Sequence, residues 1–164
     1  MRKTLVVLVG IVILSAVNWS IHARERLLVD GRVVLLELAP VDPRSLMQGD
    51  YMALRFKIAD DAFGRGTSDR IDGAVIVQVG DGDVGTFARF DDGTPPAASE
   101  ARLRYRVRNG FPKFATNAFF FEEGHANDYA KARFGEFRLA PDGESILTGL
   151  RDEARQPLGT RSLR

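Results

Sequence analysis

The chain reads from its N-terminus first as an apolar block and then as an alternation. Arg2 and Lys3 precede an almost purely apolar run over residues 4–17, and Trp19 and Ile21 extend it before charge resumes at Arg24. About 18 helical residues cover roughly 27 Å, enough for a bilayer core. Trp19 then falls at the far interface, where an indole ring can be half wet. Beyond this block the period drops towards two. Residues 33–39 form a branched apolar stretch stopped by Pro40, as suits a buried strand. Met52, Leu54, Phe56 and Ile58 alternate with Tyr51, Ala53, Arg55 and Lys57, which predicts one strand with a core face and a wetter face. Residues 60–70 are polar and contain glycine, and read as a loop. Residues 74–79 and 84–90 flank Gly80-Asp81-Gly82-Asp83 with the spacing of a β-hairpin.

Residues 91–98 hold Asp92-Gly93 and Pro95-Pro96 and form an exposed connection. Ala101, Leu103, Tyr105 and Val107 then alternate with Arg102, Arg104, Arg106 and Arg108 in a second period-two strand, closed by Asn109-Gly110. Residues 118–121 predict a short strand and 125–132 a helix of about two turns. Phe134, Phe137, Leu139, Ile146 and Leu147 predict two last strands about the turn Pro141-Asp142-Gly143. The fold class is mainly β, with a β-rich α+β arrangement as the alternative. It is one compact domain of short antiparallel strands with one short helix, behind an N-terminal transmembrane helix. The divisions are an anchor over 1–23, a β-rich domain over 24–151 and a loosely ordered tail over 152–164.

The N-terminal block has two readings, a retained anchor or a cleaved secretory signal. Cleavage would follow Ala23, where bulky Ile21 stands two positions earlier in place of a small residue, so the anchor is preferred. A folded domain behind a very short N-tail is usually translocated, which puts the domain outside the cytoplasm. Composition narrows the rest. With 45% hydrophobic and 27% charged residues the chain is ordinary globular material. A formal charge of +1 argues against a general nucleic-acid binder, and the lack of cysteine excludes disulfides, thiol nucleophiles and zinc–thiolate clusters. No cofactor is indicated.

The densest run of unusual residues is Asp42-Pro43-Arg44-Ser45-Leu46-Met47-Gln48-Gly49-Asp50-Tyr51-Met52-Ala53-Leu54-Arg55-Phe56. It resembles the signature of the GDYXXLXY family of bacterial membrane-anchored proteins. Gly49, Asp50, Tyr51 and Leu54 match the motif letters, and Phe56 replaces its final tyrosine. Asn117-Ala118-Phe119-Phe120-Phe121-Glu122-Glu123-Gly124 is similar to the family's aromatic strand ending in Glu-Gly. The resemblance covers roughly residues 31–150 and carries no activity with it. It implies a single-pass protein of the bacterial inner membrane with its domain in the periplasm or at the cell exterior. It also implies a multi-pass inner-membrane partner beside the bilayer contact of residues 4–21. Asp42, Arg44, Gly49, Asp50, Tyr51 and Arg55 are the candidate partner-binding residues. The residues themselves allow a plainer account, in which Asp42 or Ser45 caps a turn, Gly49 supplies backbone freedom and Asp50 and Tyr51 tie down the start of the strand.

Three other constellations carry candidate chemistry. Ser45 with Lys57 could form a serine–lysine hydrolase remotely like signal peptidase, given a lysine of depressed pKa. The characteristic serine-methionine-proline order is absent, so the binding or assembly module is preferred. Glu122, Glu123 and His125 could ligate a metal, but a single His without a second at helical spacing is weak support, and negative charge early in a helix explains the carboxylates. Arg102, Arg104, Arg106 and Arg108 place four guanidinium groups about 6.6 Å apart on one strand face. That strip could hold an anionic ligand such as a lipid headgroup, or be a solvated face paired with acids. Without interleaved aromatics it is no nucleic-acid surface.

Overall fold

The computed structural model describes residues 2–39, 47–48, 51–64, 66 and 69–159. Helix α1 (Arg2–Asp30) runs unbroken for 29 residues. Its stretch Val6–Asp30 has a mean hydropathy of 2.0 in its most apolar window, none of which is buried in the protein, and is long and apolar enough to cross a membrane. Gly31 converts helix to strand in one step. Its N–H donates to Leu27 O at 3.1 Å, and a Cβ there would stand 2.3 Å from that same oxygen, so only glycine fits.

Strand β1 (Arg32–Glu37) follows directly and buries Val34, Leu35 and Leu36 in succession. The later elements are β2 (Met47–Gln48), β3 (Tyr51–Ala53), α2 (Lys57–Phe63), β4 (Gly73–Val79), β5 (Val84–Phe90), β6 (Glu100–Arg108), β7 (Phe111–Lys113), β8 (Ala118–Phe120), β9 (Phe134–Leu139) and β10 (Ser145–Arg151). Seven strands form one sheet in the order β10-β9-β1-β5-β4-β6-β7, and β2-β3-β8 form a second, small sheet. The chain is therefore β-dominated, as its alternation predicts.

The large sheet is mixed where an antiparallel one was expected. β1 pairs β9 antiparallel along its whole length and meets β5 in parallel at Leu35↔Val84 and Leu36↔Gly85. The continuous apolar run of β1 is the signature of a strand covered on both faces, and this is where the parallel contact forms. Gly85 permits the approach, since a Cβ there would lie 2.6 Å from Val34 Cγ1. The sheet curls. Arg32 Nη1 donates to Ala98 O and Glu100 O, joining the start of β1 to the start of β6 although β5 and β4 lie between them. The tip of the β9–β10 hairpin also reaches β6, where Arg104 N donates to Gly143 O at 2.9 Å.

One face of this sheet makes the main core, with Val34, Leu36, Val75, Val77, Leu103, Tyr105, Phe137 and Leu139. The segment expected as a single strand over residues 51–58 is its cover. Met52, Leu54, Phe56 and Ile58 are all buried into the core, so the period-two burial holds, but the backbone changes beneath it. Only Tyr51–Ala53 is strand, Phe56 makes an isolated bridge with Leu38, and Lys57 begins α2. The start of the expected loop at 60–70 is thus helical. Ile58 and Ala62, and Ala59 and Phe63, stand four apart on the face that meets the core, and Gly64 at φ 75° ends the helix. The helix expected over 125–132 is only a 3-10 turn, Ala126–Tyr129. Tyr129 is held there by Phe119 and Phe121, with ring centroids 5.0 and 5.4 Å away. Residues 152–159, expected as a loose tail, turn back on β10 through the Arg151↔Pro157 bridge and Leu158 N to Leu150 O, and Arg155 Nη1 donates to Asp81 O.

Candidate functional site

The signature motif lies on the small sheet. β3 pairs β2 through Gln48↔Tyr51 and Met47↔Met52, and β8 through Tyr51↔Phe120, Met52↔Phe119 and Ala53↔Ala118. Met52 points into the core while Tyr51 and Phe120 share the opposite face. Their ring centroids are 5.8 Å apart, and Phe120 is 73% exposed. Among the described residues β8 is an open edge of this sheet. Gly49, Asp50, Asp42, Arg44 and Ser45 lie outside the described residues.

Arg55 binds Asp60 Oδ1 of α2 at 2.5 Å, and its carbonyl accepts from Ala39 N, so it joins the motif segment to its neighbours. Leu54 is buried, and Phe56, at the last motif position, meets Phe137 edge-on at 5.2 Å. Gly135 makes room for that ring, since a Cβ there would lie 2.9 Å from Phe56 Cε1. The motif is therefore half core and half surface, with Tyr51 as its outward ring.

The serine–lysine pairing gains nothing from Lys57. Its Nζ donates to Glu37 Oε2 at 3.0 Å, and that hydrogen bond raises the amine above its ordinary 10.5, the opposite of what a general base needs. At the junction of Glu122, Glu123 and His125, His125 Nδ1 lies 2.8 Å from Asp128 Oδ2, and this bond raises the imidazole above 6.5. Among the described residues no three His, Asp or Glu side chains are placed to hold a metal ion.

The arginine strip borders a groove of about 870 Å³ beside the end of α1. Three of its four guanidinium groups are neutralised. Arg102 Nε lies 2.7 Å from Asp91 Oδ2, Arg104 meets Asp142 and Glu144 at 3.3 and 3.1 Å, and Arg108 meets Asp72 at 3.2 Å. The Val107 N–H and then Arg108 hold the Asp72 carboxyl below its usual range. Arg106 makes no ion pair among the described residues. The Asn109-Gly110 turn, with φ of 54° and 78°, closes a two-residue hairpin that sets Lys113 directly opposite Arg106. Lys113 and Arg24 therefore belong to the groove although neither stands in the alternating strand, and only the hairpin arithmetic points to Lys113 from the sequence.

A sequence model of the GDYXXLXY protein family matches residues 13–150. The chain belongs to the GDYXXLXY family. The match takes in the second half of the apolar stretch of α1 together with both sheets. Neither the curated proteins nor the solved structures contain a match to this GDYXXLXY chain.

Proposed function

We propose that this GDYXXLXY protein is a binding or assembly module held at the bacterial inner membrane by α1, with its β domain on the periplasmic or external side, where it engages a multi-pass membrane protein. The observation that carries the reading is the outward pair of Tyr51 and Phe120. A large ring left 73% exposed on a small sheet, beside the signature tyrosine and along a strand edge that is open among the described residues, is what a contact surface requires. Anchoring makes a modest surface sufficient, because a tether raises the local concentration of the domain near any other membrane protein. The alternative hydrolase would need a deprotonated amine near Ser45, and Lys57 is held protonated by Glu37.

The test is recovery of partners from detergent-solubilised membranes, with thermal melts run in parallel. Tyr51→Ala and Phe120→Ala should leave Tm within a few degrees of the parent and lose a multi-pass membrane protein from the recovered set. Leu54→Asp, which buries an unpaired charge, should instead unfold the domain. Unchanged recovery by both surface variants would remove the motif sheet as a contact.

A further inference from the structure

The groove beside α1 is not uniformly neutralised, and the exception is localised. Among the described residues, six cationic and four acidic side chains line it. The acids are committed to Arg24, Arg102, Arg104 and Arg108. That leaves Arg106 and Lys113, which face one another across β6 and β7 at a directly opposed register position. Directly opposed like charges on neighbouring strands repel and destabilise the pair. Arg106 acts on Asp72 through space, but that carboxylate is bonded to Arg108 and to the Val107 N–H. Neither the Arg106 nor the Lys113 side chain has a hydrogen-bonding or ion-pair partner among the described residues. Two opposed cations inside a groove, with no acid bonded to either among the described residues, have the chemistry of an anion site.

The surroundings favour one source for that anion. Arg24, Asp142 and Glu144 line this groove and also an adjoining cleft of about 560 Å³, whose other walls are largely apolar. Trp19, Ala23 and Leu27 of α1 form one side of the cleft, and Ala140 and Pro141 of the β9–β10 turn form the other. An apolar cleft against the outer end of the apolar helix, opening onto a cationic groove, matches a phosphate headgroup with its chain attached better than a free phosphate. We infer that the groove is a phosphate-binding site for an anionic phospholipid, with Arg106 and Lys113 holding the headgroup and the cleft beside α1 taking the start of its acyl chain. The inference rests on α1 being at a membrane, but not on the motif sheet having a protein partner.

The experiment is isothermal titration of the full chain, in an uncharged detergent, with short-chain phosphatidylglycerol, short-chain phosphatidylcholine and inorganic phosphate. Phosphatidylglycerol should bind saturably and the other two far more weakly. With both cations removed, in Arg106→Ala/Lys113→Ala, phosphatidylglycerol affinity should fall roughly 10- to 30-fold, taking the usual contribution of each basic side chain near an anionic surface. Tm of that variant should hold or rise, because a repulsive pair has been removed. Lys113→Arg keeps the charge and should keep the binding. Unchanged affinity in the double variant, or loss of binding in Lys113→Arg, would overturn the site. Phosphate binding as tightly as phosphatidylglycerol would overturn the lipid assignment. Because the titration is made in detergent, it stands apart from topology, which is read separately by whether the chain stays with membranes after alkaline extraction.

Discussion

Glu136 lies at 4% exposure in the middle of β9, and Arg151 of β10 answers it through Nε at 2.6 Å while Thr148 Oγ1 donates to its Oε1 at 3.1 Å. A carboxylate so far from water is tolerable only while it is paired and bonded. Arg151→Met should therefore destabilise the full chain in detergent by about 3–5 kcal/mol in urea titration, the usual penalty for stripping one member from a buried pair. Glu136→Gln in the Arg151→Met background should restore part of it. Asp72 is different in kind because it is exposed and is held ionised by the Val107 N–H and Arg108. Its carboxyl titrates lower in the folded state than its ordinary 3.8, so the contribution is present above that value and is lost as pH falls through the folded value. Asp72→Asn should lower Tm at pH 7, and the gap to the parent should close as melts are taken to pH values below the ordinary 3.8 and through the lowered folded value. At this scale the sequence shows which residues carry charge but not which charges cancel. Arg102, Arg104 and Arg108 meet acids from the 91–98 connection, the β9–β10 turn and the approach to β4, each remote in the chain. Only the Arg106–Lys113 opposition is local enough to count out from a two-residue turn.

α1 joins the β domain without a linker. Leu27 is buried under the domain, Arg138 Nη1 donates to Gly31 O at 3.0 Å, and Arg24 lies 3.5 Å from Glu144. Gly31→Ala would press a Cβ against the Leu27 carbonyl and should lower stability by about 1–3 kcal/mol, as forced overpacking does. Faster hydrogen exchange in residues 24–30 would accompany it, and an unaltered exchange profile would mean that the helix end is not held by this joint. The strands were legible because period-two alternation survives in β6 and the motif segment, and because the turn at residues 80–83 marks the β4–β5 hairpin. α2 was not, since Ile58 closes the alternation of the motif segment and Phe63 falls in the polar stretch that reads as a loop, and their tertiary contacts decide. Phe63, at the end of the helical turn 57–63, meets Tyr105 and Phe90 at 4.8 and 5.3 Å. The parallel β1–β5 pair was hidden for a related reason: a fully apolar strand shows that both faces are covered but not by what.

The whole molecule combines three features: an apolar helix, a groove and cleft at its end, and a small sheet carrying the family tyrosine on its outer face. Each gains its proposed role from α1 remaining in the chain and the domain lying outside the cytoplasm. The absence of native cysteine allows both points to be read at once. A single thiol introduced by Glu123→Cys, at an exposed position, would be treated with a membrane-impermeant maleimide in intact spheroplasts, and the intact mass of the membrane-extracted chain measured. The account predicts a mass that retains α1 and carries one label. A chain beginning at Arg24, or one labelled only after the membrane is broken, would contradict it.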